Sequence, residues 1–178
     1  MGVLTKTTTY LVGQMQYADG TEWRNQVKSR LEPRGIICFD PYQKPFVHDV
    51  EEGNEIRDEL LQKLEEADYD TVSKRMRKVR MYDLNLVDRS DFIIAYLNLA
   101  VPTCGTWEEI FNANRMKKPI FLIMEGGKKK TPLWMFGTIP HKYIYASVDE
   151  ALNIIEKIDE GTMEIDSNRW RLLKEHYR

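Results

Sequence analysis

The chain has 178 residues, 42% hydrophobic and 30% charged, with a formal net charge of -2; that suits one compact domain, leaves little room for two and is unlike a disordered segment. So little charge speaks against a nucleic-acid polymer as partner, and no apolar run approaches the ~18 residues that span a bilayer. Residues 1–10 lack the apolar centre of a signal peptide, and the two cysteines, Cys38 and Cys104, form no CxxC pair; neither a disulfide framework nor a zinc site is expected, and a reducing cytoplasm is the natural setting.

The first apolar stretch, Thr8 to Val12, is β-branched and aromatic and reads as a buried strand ending at Gly13. Asp19-Gly20-Thr21 supplies turn and capping residues, and Trp23, Val27 and Leu31 then recur at helical spacing until Pro33 and Gly35. Ile36 to Phe39 is a second short strand, closed by Asp40-Pro41. From Val50 to Arg80 the chain is highly charged, with Ile56, Leu60, Leu61, Leu64, Val72, Met76 and Val79 spaced for one or two amphipathic helices broken near Asp68-Tyr69-Asp70. A short helix over Leu84 to Val87 is expected before the clearest strand, Phe92 to Leu97, whose unbroken apolar character predicts burial on both faces. A loop through Pro102 and Gly105 leads to a helix from about Thr106 to Arg115. Pro119 to Met124 and Tyr143 to Tyr145 complete the strands; Ser147 can cap a helix burying Val148, Ala151, Leu152, Ile155 and Ile158, and a last helix carries Trp170, Leu173 and Tyr177.

Strands and helices alternate, which predicts an α/β fold: a five-stranded parallel sheet, doubly wound in the flavodoxin or Rossmann manner, with right-handed crossovers. Residues 1–162 are expected to form this domain, with a charged helical insertion at about 48–80 and a C-terminal helix, 163–178, packed on it. Ligands of such sheets bind outside the carboxyl ends of the strands. That rule singles out Gly13 to Tyr17, Asp40 to Lys44, Asn98 to Glu109, and Glu125 onward.

The loop-to-helix junction after the third strand is the most informative of these. Thr106 can cap the helix, while Glu108 and Glu109 fall in its first turn, where acids also serve simply to complement the helix dipole. Periodicity places Trp107, Ile110, Phe111 and Asn114 on one face and does not choose between the glutamates. Asp83 is the second candidate carboxylate; its ordinary reading is the cap of the short helix that follows, its functional one a partner to the glutamate, since paired carboxylates suit glycosyl transfer. The basic run Lys74, Arg75, Arg77, Lys78 and Arg80 reads as a solvated helix face, with a minority reading in which one arginine reaches a substrate phosphate. Cys104 lacks a histidine partner, and His48, His141 and His176 are scattered. No GxGxxG or GxxxxGK[ST] fingerprint occurs, and no cofactor is implied.

Three blocks together resemble the nucleoside 2-deoxyribosyltransferase superfamily, which includes the 2'-deoxynucleoside 5'-monophosphate N-glycosidases. They are Thr9-Tyr10-Leu11-Val12-Gly13; Asp83-Leu84-Asn85-Leu86 with Ser90-Asp91-Phe92-Ile93-Ile94-Ala95; and Gly105-Thr106-Trp107-Glu108-Glu109-Ile110 with Ala113 and Lys118-Pro119-Ile120. The resemblance implies Glu109 as nucleophile, four positions after the glycine, with Asp83 contacting the sugar and assisting the leaving base and Tyr10 placing the nucleophile. Gly13, Thr103, Gly105, Thr106 and Glu108 are the substrate-contacting positions on this reading. The chain departs from the family at Gln14, at Phe111-Asn112 and in its long charged insertion. The implied activity is cleavage of an N-glycosidic bond through a glycosyl-glutamate ester, resolved by water or by another base. Two positions before the glycine, transferases acting on free nucleosides typically carry an aspartate and monophosphate glycosidases a serine. Thr103 stands there in this chain, which points to a nucleotide, because a hydroxyl can donate to a phosphate that a carboxylate would repel. A transferase of free deoxynucleosides and a non-catalytic nucleotide sensor are the alternatives. The partner implied is a small nucleotide or nucleoside, and the resemblance also implies a homodimer or larger homo-oligomer.

Overall fold

The computed structural model describes residues 2–15, 20–44, 50, 54–166 and 168–173. Five strands, β1 (Thr8–Gly13), β2 (Ile37–Phe39), β3 (Phe92–Leu97), β4 (Ile120–Met124) and β5 (Ile144–Tyr145), form one parallel sheet in the order β2-β1-β3-β4-β5. Expected and observed strands differ by at most two residues at an end. β3 and β4 are the most apolar because helices cover both their faces, and Phe92, Ile93, Ile94, Phe121 and Leu122 are all but inaccessible. Register runs Tyr10 beside Ile93 and Gly13 beside Tyr96. A β-carbon at position 13 would come within 2.9 Å of the Tyr96 carbonyl oxygen and 3.1 Å of the Trp23 ring, so Gly13 is demanded by close packing.

The helices are α1 (Glu22–Leu31), α2 (Asn54–Glu65), α3 (Tyr69–Arg89), α4 (Cys104–Arg115), α5 (Leu133–Thr138) and α6 (Val148–Asp159). α1 and α6 cover one face of the sheet, α3 and α4 the other, and α2 packs on α3. The break between α2 and α3 falls where the acidic cluster predicted it: Asp68 caps α3 by accepting from the Thr71 amide at 3.2 Å. Ser147 caps α6 through the Glu150 amide in the same way. Two expectations are corrected. No separate helix starts at Leu84; α3 runs unbroken to Arg89, so Asp83 lies inside a helix and caps nothing. α4 begins at Cys104 with Thr103 at its cap position, placing Thr106 within the helix. α5 went unforeseen because it is short and most of its apolar residues are exposed: Leu133, Trp134 and Phe136 face outward, and Met135 is the one that enters the core.

The C-terminal segment is described only to Leu173, as a single tight turn over Arg171–Leu173; Tyr177 lies outside the described residues. Trp170 is nonetheless buried against the rings of Phe92 and Phe121, at 5.6 and 5.9 Å between centroids. Arg169 fixes the approach by donating to the Lys118 carbonyl and the Asn114 side chain.

Arg24 is the chief polar element of the interior. Its side chain is wholly buried, and the guanidinium donates to the carbonyls of Leu11, Gly13, Gln14 and Gly20, tying the end of β1 and the loop after it to α1. The Trp23 ring lies 4.5 Å from its carbon, and Asp40 supplies a countercharge at 3.8 Å while also receiving Lys28 at 2.6 Å. Burial pulls the Arg24 guanidinium below its ordinary range, and the nearby Asp40 offsets part of that. Arg24→Met leaves those carbonyls without their donor and Asp40 without one of its cations. We expect it to cost about 3–5 kcal/mol, read as a lower midpoint in urea; a loss below ~1 kcal/mol would show that the network does not hold the loop.

Candidate active site

The direction of the connections reverses between β1 and β3, and a cavity of about 570 Å³ opens at that point outside their carboxyl ends. Three segments wall it: Gly13–Met15 after β1, the α3 stretch from Ser73 to Leu84, and residues 101–109, which comprise the loop before α4 and its first turns. All eight residues singled out from the sequence, from Tyr10 to Glu109, line this one cavity.

The structure separates the two glutamates. On α4 the buried positions are Thr106, Glu109, Ile110 and Ala113, one stripe at helical spacing, and they include neither Trp107 nor Phe111. The expected face is therefore corrected. Small residues let α4 approach β1 and β3 closely, and Trp107 stacks on Phe111 along a less buried side, Phe111 being 40% exposed. Glu109 points toward the sheet, 8% exposed, and its Oε1 accepts from the hydroxyl of Tyr10, itself 1% exposed, at 2.8 Å. Glu108 turns toward α3. Arg80 grips both its oxygens, Nε lying 2.8 Å from Oε2, and this pairing holds the Glu108 carboxyl below its usual range. One glutamate is thus buried against a phenol and the other forms a largely exposed ion pair at the cavity wall.

Asp83 reaches the cavity from α3, and its Oδ1 lies 3.0 Å from Nζ of Lys44. Thr103 and Thr106 bring hydroxyls to the start of α4, where backbone amides and the helix dipole favour an anion. A β-carbon at Gly105 would meet nothing within 4 Å, so protein packing does not require a glycine there; what its absence of side chain leaves is open cavity. Ser73, Met76 and Arg77 also line the site. The basic run of α3 carried a hint of Arg77 and Arg80, but the helix phase that turns them inward was not readable from charge alone. The sequence singles out the segment Asp40 to Lys44 as a strand end, but nothing in it marks Lys44 as the partner of Asp83. A larger cavity, about 750 Å³, opens beside β2 between Phe39, Tyr82 and Arg89; it contains neither Tyr10 nor Glu109, and Lys44 lies on its wall. Among the described residues no group of His, Cys, Asp and Glu could hold a metal ion, and no helix is long and apolar enough to cross a membrane.

No family model matches the chain, and no curated protein does. Among solved structures it is similar to a 2-deoxyribosyltransferase from Bacillus psychrosaccharolyticus, with a TM-score of 0.51 and 13% identity over 75% of this chain and 82% of that one. It is also similar to the CMP N-glycosidase BcmB of Clostridium botulinum, with a TM-score of 0.45 and 15% identity over 84% of this chain and 98% of that one. The first likeness shows that the chain has the 2-deoxyribosyltransferase fold.

The two cysteines differ in a way that probes the site. Cys104 is exposed at the start of α4 and lines the cavity, whereas burial pushes the Cys38 thiol up to about 12. The native protein is expected to give one fast-reacting thiol with an aromatic disulfide reagent at pH 8, and a second only on unfolding. Two fast thiols would mean that the β2 edge opens in solution.

Proposed function

We propose that this chain belongs to the nucleoside 2-deoxyribosyltransferase superfamily and cleaves the N-glycosidic bond of a (deoxy)nucleoside 5'-monophosphate, with Glu109 as nucleophile. The observation that carries the reading is the Tyr10–Glu109 hydrogen bond, at 2.8 Å, inside the cavity at the β1–β3 reversal. A phenol donating to Oε1 fixes the carboxylate, whose Oε2 is assigned to attack C1'. The C1'–Oε2 bond forms as the C1'–N bond breaks, and the bonding pair leaves with the base. The positive charge that develops on the sugar at the transition state is stabilised by the carboxylates around it. Water or a second base then attacks C1' and releases Glu109. Asp83, a second carboxylate on the same cavity, is assigned to the sugar and the departing base.

Three features favour a 5'-phosphate. Thr103 offers a hydroxyl where a carboxylate would repel one, the start of α4 favours an anion, and Arg77 and Arg80 add positive charge to the wall. One observation favours a free nucleoside instead: Glu108 neutralises Arg80.

Chromatography of free base released from each common 2'-deoxynucleoside and its 5'-monophosphate tests the proposal. At least one monophosphate is expected to be cleaved ten times faster or more than its nucleoside; equal or faster turnover of the nucleoside overturns the phosphate assignment. Glu109→Gln should lower base release by about a thousandfold, a loss of ~4 kcal/mol of transition-state stabilisation, while Glu108→Gln keeps most of it. A reversed pattern would move the nucleophile to Glu108, and no base release from any substrate by the unaltered protein would mean a binding module.

A further inference from the structure

Lys44 stands outside the cavity that holds Glu109, yet its charge is spent on it. The loop after β2 carries its side chain inward until it is only 4% exposed, with Nζ 3.0 Å from Oδ1 of Asp83. The same ammonium donates to the Val50 carbonyl at 3.1 Å and lies 5.3 Å from the centre of the Tyr82 ring. Its position is thus set from several sides. Lys44 lines the neighbouring cavity beside β2, while Asp83 lines the catalytic one. Burying an ammonium costs several kcal/mol unless a countercharge is held in good geometry, so the pair constrains Asp83 as much as Lys44.

We propose that Lys44 is a positioning residue that keeps Asp83 ionised and held in place as a hydrogen-bond acceptor for the substrate. This rests on the glycosidase reading of the same cavity. Its physical basis is that a cation held against a carboxylate favours the charged form. Asp83 lines the same cavity as Glu108 and Glu109 of α4. Each of the three has its own partner: Arg80 for Glu108, the Tyr10 hydroxyl for Glu109 and Lys44 for Asp83. Arg77, on α3 itself, is the other cation on that wall among the described residues. With Lys44 in place Asp83 is an acceptor and not a proton source, so the departing base must take its proton from elsewhere. A sugar hydroxyl or a base N–H is the substrate group that this carboxylate accepts from.

The experiment compares the full chain carrying Lys44→Gln or Lys44→Arg with the unaltered protein, using the four 2'-deoxynucleoside 5'-monophosphates as probes. Removing the cation makes Asp83 take up a proton more readily, so in Lys44→Gln the acidic limb of kcat/KM should move to higher pH by about one unit. kcat should fall about tenfold, with KM changed less than threefold. Lys44→Arg keeps the charge and should leave the limb within about 0.3 unit of its original place. The carboxyl carbon resonance of Asp83, assigned from Asp83→Asn, should likewise titrate at higher pH in Lys44→Gln than in the unaltered protein, whether or not any substrate is cleaved. That readout separates this proposal from the glycosidase reading, which fails only if the unaltered protein releases no base. An unmoved resonance in Lys44→Gln, or a displaced limb in Lys44→Arg, overturns the role assigned to Lys44. Should Lys44→Gln not fold, judged by its thermal melt, the Lys44→Arg profile alone decides.

Discussion

The reversal in the direction of the connections between β1 and β3 is the constraint on which the site depends. Adjacent parallel strands whose connections leave in opposite directions cannot close over their shared carboxyl end, so a crevice is left there. In this chain the register sets Tyr10 beside Ile93, and α4, following β3, crosses back over both strands. A tyrosine from β1 and a glutamate from α4 therefore meet across the crevice, 99 residues apart in sequence. Gly13 ends β1 where any side chain would strike β3, which keeps the two strands close enough for that meeting.

Around the crevice, charges are placed with their counterparts, buried for Arg24 and Lys44 and largely exposed for Arg80. Arg24 gathers backbone carbonyls under the β1 loop, with Asp40 and Trp23 completing its surroundings. Arg80 takes Glu108, and Lys44 takes Asp83. Buried pairs of this kind add little net stability compared with apolar packing, but breaking one strands a charge. Their effect here is geometric: each carboxylate of the cavity has a defined partner, which for Glu109 is the Tyr10 hydroxyl from the sheet.

The sheet was legible because burial on both faces leaves unbroken apolar runs, and β3 was read to the residue. Helix ends were less legible where charge replaced apolar periodicity. α3 absorbed the expected short helix because nothing in Met81-Tyr82-Asp83 interrupts it, and the cap assigned to Asp83 vanished with that boundary. The face of α4 was misjudged for a different reason. Aromatic residues at helical spacing look like a core stripe, but tight packing on a sheet selects Thr106 and Ala113 instead, and Glu109 comes inward with them. Only family spacing distinguished Glu109 from Glu108 in the sequence; burial and the bond to Tyr10 distinguish them in the fold. The sequence singles out the segment holding Lys44, but its tie to Asp83 was not legible, because it lies in a contact between the β2 loop and α3 that no local pattern encodes.

A nucleophilic Glu109, as proposed, becomes covalently attached to the sugar during turnover. Acid-quenching the protein during turnover of the most rapidly cleaved deoxynucleotide, then measuring peptide masses, tests it directly. The peptide containing Glu109 should gain the mass of a deoxyribosyl phosphate, with fragmentation placing it on Glu109 and on no other residue. An unmodified peptide under conditions of measured turnover, or the same added mass on Glu108 or Asp83, would contradict it.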